Sequence, residues 1–149
     1  MKTLKEIIGN RPLLTVHKDI TVQEACKFMC EHKIGLVPVF DGNKLVGVFS
    51  ERDLMQRVIA EKKNPAEVKV SEVMTVNLIV ADENETYLDA LAKMKKANIR
   101  HLLVTSKEKL IGVVSIRDIL QVELDIKEET IEVLYNYINS KPIIKQSDI

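Results

Sequence analysis

The stretch IGLVPVFDGNKLVGVFSERDL, Ile34 to Leu54, recurs as IRHLLVTSKEKLIGVVSIRDI, Ile99 to Ile119, at a constant offset of 65 residues and without a gap. The same register pairs Thr21 with Thr86, Ala25 with Ala90 and Met29 with Met94. Agreement held at one period over this length marks a duplicated unit, and the fold is therefore read as two copies of one element order.

Each copy reads as a short extended lead-in, a helix, two strands joined by a turn, and a second helix. Thr21 and Glu24 form a capping-box pattern, and Val22, Ala25, Cys26 and Met29 recur on one helical face. Thr86 opens the matching helix, with Leu88, Leu91 and Met94 among its apolar positions. Strands are expected at about 35–40 and 44–49, with Asp41, Gly42 and Asn43 as turn residues. In the second copy Ser106, Lys107 and Glu108 stand there, and Leu103 replaces Pro38, which predicts some difference in local strand geometry. Asn64-Pro65 is expected to stop the helix that begins near Ser50. After the second copy, Ile131, Leu134 and Ile138 at helical spacing predict a further amphipathic helix.

Composition narrows the function classes. The chain has 149 residues, 46% apolar and 30% charged, as in an ordinary globular protein. Its 22 basic and 22 acidic residues cancel, leaving no broad positive field for nucleic acid or an anionic membrane. No stretch has signal-peptide or membrane-span character, so a cytoplasmic location is expected.

Both copies end their second strand with glycine, two apolar residues, serine, two residues and aspartate: GVFSERD from Gly47 and GVVSIRD from Gly112. A strand handing over to a helix at the serine turns free N–H groups and the positive helix end outward, which favours anions. Ser50 and Ser115 add a hydroxyl, and Arg52 and Arg117 add charge for phosphate oxygens. Asp53 and Asp118 suit ribose hydroxyls, because an ionised carboxylate only accepts. Serine followed three residues later by aspartate is equally an ordinary helix cap, and duplication copies a cap as readily as a binding site.

Together, IGLVPVF with GVFSERDL, and VMTVNLIV with IRHLLV and GVVSIRDIL, resemble tandem CBS domains over about Ile7 to Leu124. The resemblance implies an α+β fold of two β-α-β-β-α repeats, 7–64 and 70–124, packed about a pseudo-twofold axis. An amphipathic helix at 126–140 and a frayed tail at 141–149 would follow. It further implies a non-catalytic, homodimeric module that requires no cofactor and reports AMP, ADP or ATP to an unidentified regulated protein; S-adenosylmethionine and NADH are further candidate ligands. By the same resemblance one cleft, preferred for phosphate, would use Asn10, Thr15, Ile34, Gly35, Arg100, His101, Ser115, Arg117 and Asp118. The other would use Thr75, Val80, Ile99, Ser50, Arg52 and Asp53. Gly35 and Leu36 stand where the second repeat has Arg100 and His101, so the clefts are expected to differ chemically.

Two rival functions stay open. One is an interaction scaffold with vestigial clefts, working through its C-terminal helix. The other is an enzyme or redox accessory using Cys30, which only the isolated thiol favours; Cys26 and Cys30 with the nearby His32 show no complete metal-ligand spacing. Among His17, His32 and His101 no nucleophile motif supports catalysis.

Overall fold

The computed structural model describes residues 1–140. The tail expected at 141–149 lies outside the described residues. In chain order the elements are α1 (Leu4–Ile8), β1 (Val16–His17), α2 (Val22–His32), β2 (Leu36–Asp41), β3 (Lys44–Ser50) and α3 (Glu51–Asp53), which runs on as a π-helical segment, Leu54–Ile59. Then come α4 (Val70–Val73), β4 (Val80–Asp82), α5 (Tyr87–Ala97), β5 (His101–Ser106), β6 (Lys109–Ser115) and α6 (Ile116–Ser140). Two three-stranded sheets, β1-β2-β3 and β4-β5-β6, repeat one topology, a parallel pair followed by an antiparallel hairpin. The fold is the expected α+β pair of repeats, and even its bulges coincide, between Val39 and Phe40 and between Val104 and Thr105.

Local chemistry explains the elements. The Thr21 hydroxyl accepts from the Glu24 N–H at 3.1 Å, and Thr86 with Asp89 completes the reciprocal box at the matching helix. Both helices end in a left-handed residue, Lys33 and Asn98, which turns the chain into the next strand. The hairpins turn through Gly42 at φ +62° in one repeat and through Lys107 and Glu108, at +49° and +67°, in the other. Pro38 also has a visible consequence. β4 pairs one residue further than β1 does, at Val80 with Leu103, and Pro38 holds the corresponding place with no N–H to offer a longer β1.

Each repeat has its own core, and each core is completed by a helix from ahead of the other repeat. Leu4 and Ile8 of α1 pack among Ala81, Tyr87, Leu102 and Val114, whereas Val70 and Val73 of α4 pack among Val22, Val37 and Phe49. Backbone bonds fix the exchange: Leu4 N–H to Glu85 O at 2.9 Å, and Val70 N–H to Ile20 O at 2.9 Å. The motif glycines make room for it. A β-carbon on Gly112 would stand 2.9 Å from Ile8 Cδ1, and one on Gly47 would stand 2.9 Å from the Thr75 carbonyl oxygen. Their constraint is therefore close packing as well as strand-end chemistry.

Several expectations are corrected. The helix after Ser50 does not reach Asn64-Pro65: it widens to π-type bonding between residues five apart, such as Ala60 N–H to Met55 O, and ends before Lys62 turns left-handed. In α5 the buried side chains are Tyr87, Ala90 and Met94, while Leu88 is exposed. The separate helix expected at 126–140 is the continuation of the second repeat's last helix, because no Gly or Pro interrupts 116–140. That helix leaves the core after Val122, and Ile131, Leu134 and Ile138 all stand more than half exposed.

Candidate functional site

The two strand-to-helix junctions are helix caps. The Ser50 N–H and hydroxyl donate to Asp53 Oδ2 at 3.0 and 3.1 Å, and the Asp53 N–H donates back to Ser50 Oγ at 3.2 Å. Ser115 and Asp118 repeat this arrangement, with the Ser115 N–H at 2.8 Å from Asp118 Oδ2. The carboxylates differ in what else they hold. Asp53 is 5% exposed, accepts from the Thr75 hydroxyl at 2.9 Å and lies 3.6 Å from Arg57 Nε. Asp118 has a side chain 24% exposed, and Arg11 Nη1 donates to both its oxygens at 3.2 and 3.3 Å.

Beside each junction lies a cavity lined by both repeats. The Asp53 cavity, about 540 Å³, brings together Ser50, Arg52, Asp53, Thr75 and Ile99 of the expected set. Val80 does not line it. As a β4 residue it pairs with Leu103, and the preceding Leu78 and Ile79 face the cavity instead. The Asp118 cavity, about 790 Å³, brings together Ile34, Gly35, Arg100, His101, Ser115, Arg117 and Asp118. Asn10 and Thr15 line neither cavity: the chain leaves α1 through Gly9, at φ +53°, and places Arg11 at the wall in their stead.

Arg100 and His101 line both cavities, as do Gly35 and Glu51, so they are not private to the Asp118 cleft. Burial pushes the His101 pKa below its ordinary 6.5, an effect to which Arg100 adds and which Glu51 and Asp118 oppose. At neutral pH His101 is thus an uncharged imidazole.

Some lining residues were not foreseen. Arg11 lies in a lead-in where the repeat register slips, since Ile8 and Met74, touching equivalent glycines, are 66 apart. Lys33, Cys26 and Cys30 line the Asp118 cavity, Cys30 exposed and Cys26 half-buried, with its thiol pKa raised by burial and then by Cys30. Among the described residues no three His, Cys, Asp or Glu side chains cluster to hold a metal, and no helix is long and apolar enough to cross a membrane.

The CBS domain model matches residues 4–60 and 70–125, and the chain belongs to the CBS-domain family as a tandem pair. The CBS domain-containing protein YhcV of Bacillus subtilis is 30% identical over 119 residues, 80% of this chain and 84% of its own length. Other curated relatives are longer, the match spanning 60% and 38% of two archaeal ones. The CBS domain pair of protein MJ0100, solved with 5′-methylthioadenosine and S-adenosyl-L-methionine, superposes with a TM-score of 0.73 at 31% identity, covering 82% of this chain and 95% of that one. PAE2072 of Pyrobaculum aerophilum, solved with AMP, gives a TM-score of 0.70 at 27% identity over 78% of this chain and 88% of that one. Proteins of this fold thus include holders of adenosine compounds.

Proposed function

We propose that this protein is a non-catalytic, cytoplasmic sensor of an adenine nucleotide, AMP, ADP or ATP, and that occupancy of the clefts between its repeats is signalled to a partner protein. The observation that carries the reading is the pair of inter-repeat cavities, each with a serine–aspartate junction on one side and strand-end backbone from the opposite repeat on the other. In the Asp118 cavity the Ile34–Gly35 segment faces the base and Asp118 the ribose. A ribose hydroxyl would take over acceptor capacity that Arg11 now uses and release that guanidinium toward the phosphate. Arg11, Lys33, Arg100 and Arg117 stand there against Glu51 and Asp118, whereas the Asp53 cavity sets Arg52 and Arg100 against Glu51 and Asp53. Phosphate therefore prefers the Asp118 cavity. Relatives solved with AMP and with S-adenosyl-L-methionine support the ligand class.

Thermal denaturation with AMP, ADP, ATP, S-adenosylmethionine and NADH tests this reading. A true ligand at 100 times its dissociation constant adds about 2.7 kcal/mol to the native state. If none of the five moves the melt, the cavities are vestigial and the scaffold reading takes over.

We also propose a homodimer formed through α6. Leu120, Leu124, Ile131, Leu134 and Ile138 follow alternating four- and three-residue steps, with Lys127 filling the step between Leu124 and Ile131. Such a seam suits a second copy of the same helix, and left in water its apolar area costs free energy. Truncation after Asp125 is expected to halve the mass measured by light scattering. An unchanged mass would assign α6 to another partner.

A further inference from the structure

The repeats are near copies, yet the wall they share is not symmetric. Arg100 and His101 occupy the positions that Gly35 and Leu36 hold in the first repeat, and all four residues line both cavities. One guanidinium therefore serves two sites. The outer walls differ in the opposite sense to what two equal ligands would need. The Asp118 cavity adds the cations Arg11, Lys33 and Arg117, while the Asp53 cavity adds Arg52 and the apolar side chains Met55, Leu78, Ile79 and Leu103. Moreover, the Asp53 carboxylate is buried and Arg57 is already engaged with it and with the Met74 carbonyl, so Arg52 is the one cation that this helix presents to the cavity.

Desolvating a 5′ phosphate is less favourable in the Asp53 cleft, where Glu51 and Asp53 offset the charges of Arg52 and Arg100, whereas an uncharged thioether or alkyl group gains against its apolar lining. A second phosphate across the shared wall would also repel the first. Two unit charges about 10 Å apart at an effective dielectric of about 20 change an equilibrium by roughly tenfold.

We propose that the two cavities hold adenosine compounds of different charge together: a phosphate-bearing nucleotide beside Asp118, and an uncharged nucleoside with an apolar 5′ substituent beside Asp53. The shared wall admits one anion and penalises a second. This inference rests on the adenosine-binding reading and adds to it a ligand class for each cavity.

Titration calorimetry separates the two. AMP is expected to bind the full chain in one tight step and a second step at least about tenfold weaker. With AMP held at a concentration that fills only the first step, 5′-methylthioadenosine is expected to bind with its affinity for the free protein within about threefold. Ile79→Trp, at an exposed position lining only the Asp53 cavity, should remove the methylthioadenosine step and keep the tight AMP step. Two equal AMP steps, one-for-one displacement of AMP by methylthioadenosine, or loss of the tight AMP step in Ile79→Trp would each overturn the division of ligands while leaving adenosine binding intact. No binding of either compound would overturn the adenosine reading, and this inference with it.

Discussion

Asp53→Ala is expected to lower the unfolding free energy by about 3 kcal/mol, and Asp118→Ala by only about 1 kcal/mol. Both carboxylates stand in the same Ser-x-Arg-Asp pattern, but their surroundings differ. Removing the Asp53 carboxylate strips acceptors from the Ser50 N–H and hydroxyl and from the Thr75 hydroxyl in a buried place, and leaves Arg57 without its ion pair. Thr75 is also where the segment after α4 pairs with β3, through Val48 and Thr75 bonds of 2.8 and 2.9 Å, so the loss reaches the exchanged helix and the first core. Asp118 is more exposed, and after its removal both Arg11 and the Ser115 cap can turn to water. Urea denaturation of both variants checks the expectation. Equal losses would mean that the burial of Asp53 contributes nothing beyond its cap. It also follows that Asp53→Ala is a poor probe of ligand binding, because its first effect falls on the fold.

Arg100→Ala is expected to weaken AMP binding about tenfold or more while changing adenosine binding little. A charge-assisted hydrogen bond contributes roughly 1.5 to 3 kcal/mol, and Arg100 is the cation common to both cavities. The Arg100 side chain reaches solvent, so its removal leaves no buried group unpaired. His101 acts in the same titration through pH. Its lowered pKa keeps it neutral at pH 7, and it gains charge only as pH falls below 6.5. Protonation then favours phosphate, so its contribution grows with falling pH, against the loss of the second phosphate charge below about pH 6. The wild type should therefore lose less AMP affinity on acidification than His101→Ala does. Equal Arg100→Ala losses for AMP and adenosine would place the phosphate elsewhere.

Much of the architecture was legible because duplication prints the same local chemistry twice. Thr21 and Thr86 announced two helix starts, and the runs around Val39 and Val104 announced two hairpins, with residues that suit their conformations in isolation. The exchange of α1 and α4 was not legible. It depends on packing between residues some 80 positions apart in one case, as Leu4 meets Glu85, and the register slips by one residue in that lead-in. The π-helical turn at Leu54–Ile59 left no sign, since Leu54, Val58 and Ile59 satisfy an ordinary helical face equally well.

The site was legible in its parts and not in their assembly. Ser50, Asp53, Ser115 and Asp118 were found from the repeat, and the structure places each pair at a cavity wall. Arg100 and His101 are recognisable as an asymmetry, but a linear register cannot show that one residue lines both cavities. Arg11 lay outside any pattern. Its role comes only from the turn after Gly9 that swings it onto Asp118, 107 residues away in the chain.

The most direct test of the account is a titration of the full chain with AMP, followed through backbone amide resonances. Saturable shifts are expected at Gly35, Ser115 and Asp118 and at Arg100 and His101, with the exposed end of α6 changing only if occupancy is relayed to it. Absence of saturable shifts at these amides, or shifts confined to residues away from both cavities, would contradict a nucleotide site between the repeats.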